Sequence, residues 1–341
     1  MGELVDALSR RGQRVSIAPT SCSPEKRRLS RVFDQWVFVA GLFAHLRQNP
    51  AVTTVVTLDA PAGMRLLLNI WRRFGRQHRH IAWVMDLYWL QSTPRSLAEK
   101  LRRKIEILGL RHVDEAVVLG ECMRDLLTRW APRVPSTVIP IWQPDTWTRA
   151  GNPVNADEDE MPDTELIYSG HAGVAHSLVT LARAIEANND LRFRVIGWGV
   201  EVDRVAQTVE VEHLARTTVH PPALMSKAID NLNNADVHVA SLRESMTGTC
   251  VPSKAYAAMA LGKPLLFLGD ERCQVARDIR RANCGFVVST DDESGIRRAL
   301  ARLANSDLRA VLGSNARAYY AASLTLDRGA DRWQALLRTD E

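Results

Sequence analysis

Short β-branched and aliphatic runs alternate with helix-length segments along the whole of this 341-residue chain. That alternation constrains the fold more than any other feature. A strand, a helix and a second strand pair in parallel, and the helices then cover the sheet. In the first half, strands are expected at 14–19, 52–58, 80–85, 115–119 and 136–141, with helices near 2–11, 30–47, 62–74, 95–111 and 121–130. In the second half, strands are expected at 165–169, 192–197, 217–220, 236–241, 264–268 and 285–289. Helices lie between them, and three more close the series near 293–304, 306–321 and 328–338. The stretch DTWTRAGNPVNADEDEMPD at 145–163 is polar, acidic and proline-bearing, as a linker is. Two doubly wound α/β domains follow from this pattern, and such sheets bind ligands at the carboxyl ends of their strands.

Composition removes several function classes. Hydrophobic residues make up 46% and charged residues 24%, as in an ordinary globular protein. No run approaches the ~18 apolar residues of a spanning helix. The opening GELVDALSRRG is amphipathic and carries acids, unlike a secretory leader. Five scattered cysteines (Cys22, Cys122, Cys250, Cys273, Cys284) form no CxxC pair, so reduced thiols and a cytoplasmic location are expected. Residues 1–150 carry ten more cations than anions and residues 151–341 five fewer, giving the net +5. Basic clusters at 26–31, 72–76 and 102–104 suit an anionic membrane surface or lipid diphosphate, or a solvated face. No zinc-finger spacing or RRM-type aromatic signature points to nucleic acid.

The segment SLRESMTGTCVPSKAYAAMALGKPLLFLG at 241–269 reads as a strand end, a loop, a helix opening at Val251-Pro252-Ser253-Lys254 and closing at Gly262, then a strand. Helix-start N–H groups, Lys254, Ser253 and the Thr247-Gly248-Thr249 loop form a site suited to an anion such as a diphosphate. An ordinary capped helix explains the same residues. YSGHAGVAH at 168–176 is a strand end with a glycine turn, and a helix is expected to begin near His176. Gly170 and Gly173 would let backbone approach a phosphate. RVIGWG at 194–199 places Gly197 and Gly199 in a second such turn.

The 241–269 segment resembles the donor-site motif of GT-B retaining glycosyltransferases of family 4. It is most similar to the bacterial exopolysaccharide and O-antigen (colanic-acid-type) subgroup, M-x-G-x-x-V-P-S-K-x-Y-x-x-M-A-x-G-x-P. Met246, Gly248, Val251, Pro252, Ser253, Lys254, Tyr256, Met259, Ala260, Gly262 and Pro264 match. The 168–176 turn resembles the subgroup's S-G-N-x-G-x-x-H, with His171 in place of asparagine and His176 matching. RVIGWG is similar to the I-G-x-G turn. The resemblance implies two Rossmann-like domains facing across a cleft. These are an acceptor domain at 1–145, a linker at 146–163, a donor domain at 164–325, and a terminal helix at 326–341 packing back on the first domain.

The resemblance also implies the chemistry. A sugar would pass, with retention, from a nucleotide-diphosphate sugar to a glycan or lipid-linked acceptor in cell-surface polysaccharide synthesis. The enzyme would be a hexosyltransferase type needing no metal and no cofactor, peripheral at the inner membrane face. Lys254 and Ser253 would hold the diphosphate; Gly170, His171, Gly173, Gly197, Thr247, Gly248 and Thr249 would line the donor. Backbone at 222–225, around Leu224, would meet the base. Asp86, in HIAWVMDLYW, would orient the acceptor hydroxyl, or merely cap a turn.

Departures from the family pattern matter equally. The broad family's Glu-x7-Glu pair falls on Thr249 and Ala257, with Glu244 either a partial substitute or merely exposed, and the phosphate-contacting arginine and lysine of the 168–176 region are missing. No strand and glycine turn precede the opening helix, so the first domain is expected to lack its first strand through truncation or a start-site error. An in-frame stop just upstream of Met1 would refute that. A non-catalytic GT-B protein that binds nucleotide sugar or scaffolds polysaccharide assembly remains the alternative. A GT-B epimerase is disfavoured, since its acids and histidines have no counterpart.

Overall fold

A computed structural model of the chain describes residues 2–17, 28–58, 63–74, 78–91, 94, 96–144, 147, 164–222 and 224–338, without the side chains of 28–36, 225 and 226. The linker expected at 146–163 (Trp147 apart), the basic cluster at 26–31 and Cys22 lie outside the described residues or side chains. The chain divides into two compact units. One comprises Met1–Ile139 with Ala330–Glu341, the other Pro140–Gly329.

The described sheet of the first unit has four parallel strands: β1 (Thr54–Leu58), β2 (Arg79–Val84), β3 (Glu115–Val118) and β4 (Ser136–Val138), in that spatial order. Ile81 sits between Val56 and Glu115 in register. β2 is buried along almost its whole length, which its run of Ile, Ala, Trp and Val requires under helices on both faces. The expected strand at 14–19 is a correction. Residues 14–17 are irregular and Ile17 is 54% exposed, because no described strand offers this V-S-I segment a ladder; residues 18 and 19 are outside the description. A short helix at Tyr88–Gln91 also went unforeseen.

Beneath this sheet lies a buried polar network. The Thr57 hydroxyl meets His80 Nε2 at 3.0 Å, and His80 Nδ1 meets Asn69 Oδ1 at 2.9 Å. Asn69 donates to the Gly109 carbonyl at 3.0 Å, which orients the amide and puts the imidazole proton on Nδ1. Burial, helped by Arg72 and Arg65, lowers the His80 pKa to about 3. Arg65 donates to Glu106 at 3.2 Å, with both side chains under a tenth exposed, and Gly63 N–H donates to the same carboxylate. The helix Leu326–Leu337 contributes Trp333, edge-on to Trp83 with centroids 4.9 Å apart. Asp331 pairs with Arg11, and the Leu336 carbonyl accepts from Arg79.

The second unit contains six parallel strands: β5 (Thr164–His171), β6 (Leu191–Trp198), β7 (Thr217–His220), β8 (Val237–Leu242), β9 (Leu265–Gly269) and β10 (Gly285–Val288). Their order, β10-β9-β8-β5-β6-β7, is the doubly wound 3-2-1-4-5-6 counted from β5. A continuous apolar core including Leu166, Tyr168, Phe193, Val239, Leu266 and Ile296 fills one face. β5 pairs with β6 over eight positions but with β8 over two, Leu166↔Val237 and Ile167↔His238. Beyond Ile167 the sheet opens, and that opening is the topological switch point where such folds take ligands. No helix among the described residues is long and apolar enough to cross a membrane.

Candidate active site

The opening between β5 and β8 is walled by backbone and closed by one lysine. Gly170 has φ +117° and Gly197 φ +159°. A Cβ on Gly197 would fall 2.0 Å from the Gly170 carbonyl oxygen, so β5 and β6 approach closely only with glycine there. A Cβ on Gly170 would sit 3.0 Å from Lys254 Cε. The lysine stem therefore lies across the space a side chain would fill. Lys254 Nζ donates to the His171 carbonyl at 3.1 Å and stands 5.1 Å from the centre of the Tyr168 ring. The buried Tyr168 hydroxyl donates to that same carbonyl at 2.8 Å. Burial lowers the lysine pKa to about 8. Among the described residues this cation meets a shared carbonyl and a ring face, with Cys250 nearby, which makes it a candidate for binding an anion.

Lys254 begins the helix Lys254–Leu261, which closes at Gly262 as expected. The expected cradle of helix-start N–H groups is corrected in part. Ala255 N–H donates to the Pro252 carbonyl and Tyr256 N–H to that of Ser253, so these donors are already engaged. Ser253 is exposed and makes no capping bond. Thr249 is fully buried, its hydroxyl donating to the Met246 carbonyl at 2.7 Å. The Thr247 hydroxyl lies near Asp270, whose ionisation Arg272 favours most and Thr247 less, and Gly248 turns the loop with φ +84°. Thr249 therefore turns its hydroxyl to the protein.

Three residues missed from the sequence complete the surroundings. Arg243, just after β8, donates to Glu201 at 3.2 Å and to the Val174 carbonyl at 3.1 Å. The buried Glu201 also accepts from Leu178 N–H at 2.7 Å. This pair ties the 172–178 loop to the end of β8. Trp198, opposite His171 in the β5–β6 ladder, is the third. A tryptophan between two turn glycines was the only signal in the sequence. The helix expected near His176 begins at Val179. His176 instead donates from Nδ1 to the Ser241 carbonyl at 2.7 Å, and burial, with Lys254 nearby, lowers its pKa to about 4.

Glu244 accepts from the Ser289 hydroxyl at 2.7 Å and from Thr290 through both backbone and hydroxyl. Burial opposes its ionisation, but these bonds prevail and hold its pKa below the usual range. Its carboxylate is committed to the loop after β10. A groove of about 630 Å³ lies beside it, lined by Asp270, Ser289, Asp292 and Arg298 among others. This groove borders β9 and β10, whereas the lysine stands between β5 and β8.

No family model matches the chain. A curated relative, the probable glycosyltransferase WbjE of Pseudomonas aeruginosa, is 23% identical over 300 residues, 84% of this chain and 74% of its own. The sucrose-phosphate synthase structure from Thermosynechococcus elongatus superposes with TM-score 0.75 at 17% identity, covering 98% of this chain and 91% of that one. Anabaena Alr3699/HepE, solved with UDP and glucose, superposes with TM-score 0.67 at 11% identity over 88% and 81%.

The fold is GT-B. Within this GT-B chain, Gly170, His171, Gly173, Gly197, Thr247, Gly248, Thr249, Ser253 and Lys254 all belong to the second unit. Gly170 and His171 end β5, Gly197 is next to the end of β6, and Gly173 follows β5. Thr247, Gly248, Thr249 and Ser253 follow β8, and Lys254 opens the helix after them. Leu224 is exposed after β7. Asp86 belongs to the first unit, just past β2, where burial raises its pKa against the opposing backbone bond from Tyr88 and the charge of Arg65. A carboxylate turned in on the Tyr88 backbone is what the turn-capping reading of Asp86 requires.

Proposed function

We propose that this chain is a nucleotide-sugar glycosyltransferase of the retaining type. It moves a sugar, read as a hexose, onto a glycan or lipid-linked acceptor in cell-surface polysaccharide synthesis. The reading is carried by Lys254, held in the switch-point opening by one carbonyl and a ring face. A leaving diphosphate needs its developing charge neutralised, and a preorganised cation in a sheltered opening does that without a metal. Glycine at 170 and 197 lets β5, β6 and the lysine stem pack closely beside that opening. The glycosyltransferase relative and the UDP-bound neighbour support the same chemistry. The basic excess of residues 1–150 supports work at the inner membrane face, and co-sedimentation with anionic vesicles at low salt tests that part.

The first test is a thermal-shift panel of UDP-, GDP-, ADP- and TDP-sugars on the wild type and Lys254→Ala. One nucleotide family raises the midpoint of the wild type by mass action and not that of the variant. No shift with any donor on folded protein would sink the reading. NMR of the anomeric configuration of the product then tests retention. Thr249 and Ala257, buried where the broad family carries glutamates, favour the non-catalytic alternative. Donor binding without transfer or hydrolysis would establish that alternative.

A further inference from the structure

His171 and Trp198 are direct cross-strand partners and end the β5–β6 ladder. Their ring centroids are 5.6 Å apart, the planes inclined by 44°. The imidazole is flanked by the turns behind it. A Cβ at Gly173 would come within 2.9 Å of its Cε1, and one at Gly199 within 3.1 Å of its Cδ2. The indole is not buried in return: Trp198 keeps 55% of its surface exposed. Leaving that much aromatic surface in water forgoes a large apolar burial, and a fixed, exposed indole at the carboxyl end of a strand is a surface for another flat group.

The pair stands on the backbone that anchors the lysine, since Nζ bonds the carbonyl of His171. β6 lies between β5 and β7, and adjacent strands are about 4.8 Å apart. Past β7 comes Leu224, 75% exposed, at the segment read as the base-contacting backbone. A nucleoside diphosphate with its phosphates at Gly170 and Lys254 and its base toward Leu224 must cross the end of β6. Trp198 and Val200 are both exposed there, and the indole is the one that offers a flat face. The transferred sugar leaves from the other end of the diphosphate, away from this crossing.

We infer that Trp198, backed by His171, is the stacking surface for the nucleoside half of the donor, an inference that rests on the donor-site reading above. Aromatic stacking tolerates any base, because every base has a π-face. Trp198 thus contributes affinity to each nucleotide, and base selectivity comes from other contacts.

Titration calorimetry of wild type, Trp198→Ala and Trp198→Phe with UDP, GDP, ADP and inorganic pyrophosphate tests this. Trp198→Ala weakens the tightest nucleoside diphosphate about tenfold or more, by a similar factor for each nucleotide that binds measurably. Pyrophosphate affinity stays within twofold of wild type, and Trp198→Phe keeps most nucleotide affinity. The same nucleotide quenches wild-type tryptophan emission more than that of Trp198→Phe, which reads the contact without depending on the alanine variant folding. Unchanged nucleotide affinity in Trp198→Ala overturns the inference, as does an equal loss of pyrophosphate. Failure of the parent reading looks different: the wild type then binds no nucleoside diphosphate at all, and both fall.

Discussion

Buried polar groups serve packing in both units, and in the second a cation also lies at an opening of the sheet. In the first, the inward polar groups serve packing: Thr57, His80 and Asn69 bridge β1, β2 and the helix Met64–Phe74, and Arg65–Glu106 fastens that helix to Leu97–Leu110. The second unit joins a continuous apolar core to packing networks of its own, with Asp278 accepting from the Tyr256 and Tyr319 hydroxyls at 2.8 Å each. At the carboxyl end of β5, however, the Lys254 cation lies beside an opening, on the His171 carbonyl and the Tyr168 ring. Polar groups that satisfy one another stabilise a fold; a cation at the switch-point opening is the candidate for a ligand.

Breaking the first unit's ion pair gives the largest effect. Glu106→Ala leaves the Arg65 charge buried beside an unmatched Gly63 N–H and costs about 3–5 kcal/mol in urea unfolding. Replacing both partners with Met and Leu restores most of that loss, because the desolvation penalty goes with the charges.

In the second unit the corresponding substitution separates stability from function. Lys254→Met weakens nucleoside diphosphate binding by about 2 kcal/mol, roughly thirtyfold, while the unliganded protein melts no lower. In the wild type the folded lysine titrates near pH 8, against 10.5 for the free side chain. Ligand affinity therefore falls as pH rises through 8 and the cation is lost. Between pH 8 and 10.5 the unfolded chain holds the extra proton, so unliganded stability gains with pH there, and Lys254→Met lacks that gain. Calorimetry and denaturation at pH 7, 8 and 9 check both signs.

Acid probes both units together. Burial leads the lowering of His80 to about 3 and of His176 and His238 to about 4, against 6.5 for the free side chain. The unfolded chain takes these protons first, so stability drains as pH falls from 6.5 toward 4, and His80 goes on contributing to the loss down to about 3. His80→Gln flattens the slope. The smallest effect is at the surface: Arg183 and Glu212 form an exposed pair, and Glu212→Ala leaves the unfolding midpoint where it was.

Sequence legibility followed how local each cause was. The strand at 217–220 and the helices at 121–130 and 254–261 were placed within a residue or so, because each carries its own period and stop signals. The expected strand at 14–19 had the period and no ladder partner, and a ladder is not local. Within the site, spacing marked Lys254 and the glycines as candidates that an ordinary capped helix explains equally well, and the family resemblance raised them. Arg243 and Glu201 did not, since a charge after a strand and an acid in a first helical turn are ordinary until 42 residues of chain fold them together. Thr249 carried the right chemistry, and a buried carbonyl took its hydroxyl.

The helix Leu326–Leu337 has a consequence for how the protein is made. Trp333, Asp331 and the Leu336 carbonyl complete a unit whose other residues end at Ile139. On the ribosome these groups emerge only after the whole of the second unit. An early-made first unit must therefore wait with the Trp83 face uncovered, while the second closes its core from consecutive sequence. Although it is translated first, the N-terminal unit is the one that finishes folding last.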